Sequence, residues 1–151
     1  MKSYAAEPQK KYPSRVYVFD SSFIGALIIP DEKSQRLRKL YAAIQNEDEK
    51  YAPKLIWYEM ANIFNNLIRR KRYTYDEVLD FIPLLSALHI TSDSAGGVVY
   101  TEKLLRLSRE YDLSSYDAAY LELAGRKKAV LATLDEGLQA AAVKYGVTLL
   151  R

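Results

Sequence analysis

The chain of 151 residues has no cysteine and a single histidine. Without thiols it can form no disulfide, no thiolate nucleophile, no iron–sulfur cluster and no cysteine zinc site, and a reducing cytoplasm is the expected compartment. One histidine cannot build a multi-histidine metal centre. His89 lies in the apolar run Leu84-Leu85-Ser86-Ala87-Leu88-His89-Ile90, where a packed or strand-edge role is expected. Long hydrophobic runs are missing too: the longest, residues 23–29, is far short of the ~20 residues that span a bilayer, so no membrane is expected. Residues 1–15 are polar and contain nothing like the apolar segment of a secretory leader. Charge of one sign is also scarce. Lys+Arg 22 against Asp+Glu 19 leaves +3, which permits a nucleic-acid partner without arguing for one. Chemistry in this chain must come mainly from carboxylates, hydroxyls and cations.

What is present is ordinary in bulk: 49% hydrophobic and 27% charged residues, typical of a globular protein. The length predicts one domain with a substantial core. Residues 1–14, with Pro8 and Pro13, follow neither helical nor strand period and are expected to form a mobile tail, leaving 15–151 as the domain. The organising stretch is Val16-Tyr17-Val18-Phe19-Asp20-Ser21-Ser22. A strand without polar alternation is buried on both faces, as in a parallel sheet. Its last residue then emerges at the carboxyl edge of the sheet, where open α/β folds place ligands. Asp20 is therefore either the cap of the following helix or the first member of a site.

Strand and helix signals alternate from there on. A short apolar helix covers 20–29 and stops at Pro30. A second opens at Asp31 with Leu37, Leu40, Tyr41 and Ile44 on its buried face, and the acidic segment Asn46-Glu47-Asp48-Glu49 ends it as a solvated loop. Residues 51–55 read as a strand in which Pro53 must mark an end or a bulge. The long helix that follows buries Ile56, Met60, Ile63, Phe64 and Leu67 and closes on Arg69-Arg70-Lys71-Arg72, cations that suit a helix C-terminus; RNA contact is the lesser reading of that run. Thr74-Tyr75-Asp76-Glu77 is a capping box opening a helix with Val78, Phe81, Ile82 and Leu85 on one face. Residues 87–91 are expected as a third strand and 92–97 as a loop, in which Gly96-Gly97 lacks the spacing of a phosphate-binding loop. A helix with Tyr100, Leu104, Leu107 and Tyr111 on one face follows, then a helix beginning Tyr116-Asp117-Ala118. A strand over 129–133, a helix ending at Gly146 and a final strand over 147–150 complete an α/β domain with a mostly parallel sheet.

Four acids stand at element junctions: Asp20 after the first strand, Glu59 in the first turns of the next long helix, Asp117 in the first turn of its helix, and Asp135 two residues after the strand over 129–133. Each alone is explained as a helix cap or a dipole partner, and Asp117 is not preceded by a clear strand. Together on one sheet edge they would repel by about 4 kcal/mol per pair at 4 Å in surface-like dielectric, and so need protonation, spacing or a cation. Oxygen-only ligands suit Mg²⁺ or Mn²⁺, and phosphodiester hydrolysis is the natural chemistry of such a site without histidine.

With these residues the chain resembles the PIN-domain ribonucleases, and within them the VapC toxins of toxin–antitoxin pairs. The resemblance covers roughly residues 16–150. It rests on Val18-Phe19-Asp20-Ser21-Ser22, Tyr58-Glu59-Met60-Ala61-Asn62, Ser115-Tyr116-Asp117-Ala118-Ala119-Tyr120-Leu121 (the most specific) and Ala132-Thr133-Leu134-Asp135. It implies a three-layer α/β/α domain around a five-stranded parallel sheet and a Mg²⁺- or Mn²⁺-dependent endoribonuclease whose catalytic and metal-holding residues are Asp20, Glu59, Asp117 and Asp135. Thr133 would bind metal-held water or phosphate. RNA is the implied substrate, a small antitoxin the implied partner and a homodimer the implied assembly; several of the 13 tyrosines, Tyr73 and Tyr75 among them, suit an interface. A PIN nuclease of RNA processing or repair would use the same residues, whereas a purely binding PIN-like module would be expected to have lost some acids. A phosphoacceptor receiver wants an acidic pair after its first strand, and a haloacid-dehalogenase-type phosphatase wants a second aspartate where Ser22 stands, so both fall behind.

Overall fold

The computed structural model describes residues 14–32 and 35–151; the expected tail, apart from Ser14, lies outside the described residues. Strands β1 (Val16–Phe19), β2 (Glu49–Pro53), β3 (Thr91–Asp93), β4 (Val130–Ala132) and β5 (Thr148–Leu149) form one sheet in the order β3-β2-β1-β4-β5, every neighbouring pair parallel. Parallel neighbours need crossovers, and helices supply them on both faces: α1 (Ser21–Ile28), α2 (Gln35–Ala42), α3 (Leu55–Arg69), α4 (Tyr75–Leu79), α5 (Phe81–Ser86), α6 (Val98–Tyr111), α7 (Ser115–Lys127) and α8 (Glu136–Tyr145). The expected α/β/α domain with a five-stranded parallel sheet is the observed one. Among the described residues no helix is long and apolar enough to cross a membrane.

The central strand is the longest one whose sequence is apolar without interruption. Tyr17, Val18 and Phe19 are buried between β2 and β4, with Val18 paired to Tyr51 on one side and Leu131 on the other. Ile24, Ile56, Leu121 and Leu131 are wholly buried around it; each such side chain stabilises the fold by roughly 1.5–3 kcal/mol. Pro53 ends β2, as its missing N–H requires. Gly146 caps α8 in the left-handed conformation at φ 85.

Four local expectations are corrected. The third strand is β3 at Thr91–Asp93, not 87–91, so part of the expected 92–97 loop is strand. The apolar run before β3 is used in the turn out of α5, where His89 is exposed at φ 50 rather than packed. The helix opened by the Thr74 capping box is two helices, α4 and α5, meeting at Asp80. Pro83 lacks the N–H that would bond the Leu79 carbonyl, so one continuous helix loses a rung there; Val78 and Phe81 are buried but Ile82 turns outward. Finally, Asp31 belongs to a 3-10 turn, Pro30–Glu32, rather than opening α2.

Candidate functional site: carboxylates at the sheet's carboxyl edge

Asp20 is the cap that its position allowed, and its carboxylate stands at the sheet edge within reach of the Asp117 charge. Its N–H donates to the Ala132 carbonyl (3.1 Å), extending the pairing of β1 with β4 by one rung. Its Oδ1 accepts from the Phe23 N–H (2.9 Å), capping α1, and from the Ser22 hydroxyl (2.7 Å), while Oδ2 accepts from the Thr133 hydroxyl. The carboxyl is only 4% exposed. Burial raises its pKa; Thr133, Phe23 and Ser22 pull it back and Asp117 adds repulsion, and the balance lies above the usual aspartate range.

Glu59 comes from the second turn of α3, where the helix start faces the same edge. The Tyr120 hydroxyl, buried in α7, donates to its Oε2, and Ser21 supplies a further hydrogen bond. Burial again raises the carboxyl above its ordinary value, with the charges of Asp20 and Asp117 acting in the same direction and the two hydroxyls against it. Asp117, in the first turn of α7, is held by Ser114, whose hydroxyl accepts from the Asp117 N–H (3.0 Å) and donates to its Oδ2 (2.9 Å).

Asp135 caps α8, its Oδ1 accepting from the Leu138 N–H (2.7 Å). It joins the others through Thr133: the Asp135 N–H donates to the Thr133 hydroxyl (3.0 Å), which donates to Asp20. Asp20, Glu59 and Asp117 therefore feel one another's charge, while Asp135 is tied in by a buried hydroxyl. Thr133 is in turn fixed by Gln139, whose amide donates to its carbonyl (2.8 Å).

Three residues of this constellation escaped sequence reasoning as site residues. Tyr120 follows Asp117 by three positions and so shares its side of α7; that spacing was the available signal. Ser21 and Ser22 sit inside the quoted Asp-Ser-Ser stretch, and Ser22 also accepts from the Leu134 N–H (2.9 Å), stitching α1 to the loop after β4.

Among the described residues no three acidic side chains converge tightly enough to hold one ion by themselves. The donor set nevertheless fits a hard divalent cation: it is oxygen-only, it carries clustered negative charge, and Asp117 Oδ1 and Asp135 Oδ2 have no hydrogen-bond partner among the described residues. Coordination shared between carboxylates and water suits that arrangement.

Residues 17–144 match the family model described as PIN domain. Over 128 residues the chain is 31% identical to Ribonuclease VapC3 of Pyrobaculum aerophilum, a match covering 80% of this chain and 90% of that protein. The crystal structure of PAE2754 from Pyrobaculum aerophilum superposes with a TM-score of 0.66 at 23% identity, covering 90% of this chain and 84% of that one, a likeness of fold alone.

Proposed function

The chain belongs to the PIN-domain family, and from that premise we propose that it is a metal-dependent endoribonuclease, the toxin of a toxin–antitoxin pair, hydrolysing RNA phosphodiester bonds at its acidic edge. The observation that carries this reading is the meeting of Asp20, Glu59 and Asp117 from three separate elements, close enough that Asp117 repels both of the others. A helix-capping role needs no such convergence. A phosphodiester brought to this edge would be repelled by the same carboxylates, so the cluster and its substrate both call for a cation.

Mg²⁺ or Mn²⁺ is the group that fits, and when bound it supplies counter-charge to the phosphate and makes water easier to deprotonate. Asp20 and Asp117 would hold it, directly or through water, with Glu59 and Asp135 orienting further waters, the attacking one included. Glu59 is suited to take that water's proton, since its raised proton affinity brings it nearer the operating pH than an ordinary glutamate. The water oxygen bonds to phosphorus, the bond from phosphorus to one ribose oxygen breaks, and that oxygen leaves with a proton taken from solvent water, while Glu59 returns its own to solvent. The Thr133 hydroxyl donates a hydrogen bond to Asp20 and accepts one from the Asp135 N–H, so one lone pair remains for water or phosphate.

The partners in this reading are RNA and a small antitoxin that covers the cleft, in the cytoplasm, with the toxin a homodimer. Residues adjacent in sequence to three of the acids offer contact surface: Tyr58 is 79% exposed, Tyr116 68%, and Leu134 is exposed beside Asp135. A monomer by light scattering at high micromolar concentration would count against the dimer.

The activity test is direct. Purified protein should cut structured RNA with Mg²⁺ or Mn²⁺, and EDTA should stop it. Folded Asp20→Asn or Asp117→Asn should lose at least about 100-fold in rate; undiminished cleavage by Asp20→Asn would overturn the assignment.

A further inference from the structure

A cleft of about 220 Å³ opens between α1 and the far half of α3, starting at Ser21 and Ser22 and running over Gly25 and Ile63 to Asn66 and Arg70. Its near end is the acidic site itself, because Ser22 donates to Asp20 and Ser21 bonds Glu59. Its far end carries charge of the opposite sign. Two arginines line it, but they are not equivalent. Arg72 is committed to Asp31 (2.5 Å) and Glu32 (3.0 Å), so the cleft-lining Glu32 and Arg72 cancel. Arg70 is exposed and has no ion-pair partner among the described residues, and its guanidinium makes no hydrogen bond to the last carbonyls of α3. Satisfying the end of the helix therefore does not account for it. The Asn66 amide, one turn earlier in α3, is likewise without a side-chain bond among the described residues.

We propose that this cleft is a subsite for the RNA backbone, in which the Arg70 guanidinium and the Asn66 amide bind a phosphate a few nucleotides away from the scissile one. The inference rests on the nuclease reading and adds where the strand leaves the site. Eleven residues of α3 separate Glu59 from Arg70, a rise of roughly 16 Å, which arginine shortens because helical side chains lean toward the N-terminus. The chemistry fits a phosphodiester strand. A planar guanidinium pairs with phosphate oxygens through two parallel N–H bonds, an amide donates beside it, and the Gly25–Ile63 floor has no polar group that would compete. The site end repels a phosphate unless cations are present, whereas the Arg70 end attracts one without them, so the strand is anchored away from the reacting bond.

The test is the salt dependence of binding by a 5′-labelled single-stranded RNA, followed by fluorescence anisotropy with Mg²⁺ present and Asp117→Asn carried in every arm to block turnover. Each phosphate contact to a single strand contributes about 0.7 to the slope of log affinity against log salt. Adding Arg70→Gln should make that slope shallower by about 0.7, so that over a fourfold rise in salt it loses about 2.6-fold less affinity than its parent. Arg69→Gln, one residue earlier and outside the cleft, should leave the slope near the parent value, and Asn66→Asp should weaken binding by repulsion. Melting curves confirm that each variant is folded. An unchanged slope in Arg70→Gln, an equal change in Arg69→Gln, or a parent that binds no RNA would each overturn the proposal. Failure of the nuclease reading is separable, because it shows as absent cleavage by protein with Asp117 intact, whatever the binding slope.

Discussion

The Tyr120 hydroxyl donates a hydrogen bond to Glu59 from a residue only 1% exposed, and burial together with that carboxylate pushes the phenol far above its ordinary value. Tyr120 thus always donates, and its bond favours the ionised form of Glu59 against the burial that raises the carboxyl. Tyr120→Phe keeps the ring and removes the donor, so the Glu59 carboxyl should rise further. If ionised Glu59 takes the proton of water, the acid limb of the pH–rate profile should move to higher pH and the rate below it should fall by about 10–100-fold. A lowered rate with an unmoved limb would reduce Tyr120 to packing. Thr133→Val makes a contrasting change: it removes the donor to Asp20 and the acceptor for the Asp135 N–H at once. Leaving those buried groups unpaired should cost about 1–3 kcal/mol of stability, read by urea denaturation. At this scale the acids themselves were legible, because carboxylates at strand ends and helix starts are visible in a linear sequence. The hydroxyls that tune them were not, because a buried tyrosine in a helix looks like core until its partner, 61 positions away, is known.

Between elements, α6, α7 and β3 are joined by an ion network that contributes nothing to the site. Glu122, 1% exposed, accepts from Lys103 (2.7 Å) and Arg126 (2.9 Å), and Arg126 reaches on to Asp93 (2.6 Å). Burial pushes Glu122 up, but Arg126 and Lys103 outweigh it and hold the carboxyl below its ordinary value. A depressed carboxyl stabilises the fold fully above its unfolded value, 4.5, and that contribution is lost as pH falls through the folded value. Glu122→Gln should therefore be less stable than wild type at pH 6 and converge on it in acid, as urea unfolding from pH 6 to 3 would show. Gly125 marks a second junction. A Cβ there would lie 2.4 Å from the Tyr145 ring, itself edge-on to Tyr111 at 5.4 Å. Gly125→Ala should force α7 and α8 apart at about 1–3 kcal/mol. Elements were legible where one physical signal dominated, as with β1 and its apolar run or Pro53 at the end of β2. They were misplaced where the signal belonged to something else. Thr91-Ser92-Asp93 is an edge strand with a polar sequence, and its neighbour Ala87-Leu88-His89-Ile90 is apolar because it packs a turn, Leu88 being buried there.

For the molecule as a whole, the acidic edge sets fold stability against function. Asp20 and Glu59 both bind a proton more tightly in the folded chain than their ordinary values of 3.8 and 4.5. Such groups favour the fold below the unfolded value, and the contribution is lost as pH rises through the folded one. Asp20→Asn removes one of them and keeps a good cap, so without metal it should melt at or above wild type, with its advantage growing as pH rises above the ordinary aspartate value of 3.8 and levelling off beyond the folded one. Mn²⁺ should raise the wild-type melting temperature, by the equivalent of about 2.7 kcal/mol at one hundred times the dissociation constant, and should do much less for Asp20→Asn. Identical Mn²⁺ shifts in both proteins would place the ion elsewhere.

The bond from Thr133 to Asp20 spans 113 residues, and it sets the order of events during synthesis. A ribosome working at roughly 5–20 residues per second makes Asp20 several seconds before it makes β4. Until then β1 lacks the neighbour that receives the Asp20 N–H and the hydroxyl that orients its carboxylate. A chain broken off by a stalled ribosome or an early stop before Val130 would already carry Asp20, Glu59 and Asp117, yet would lack both Asp135 and the Thr133 hydroxyl that fixes the second oxygen of Asp20. A protein that cuts RNA is made from RNA, and this one gains its acidic edge only once its own message has been read through β4 and Thr133.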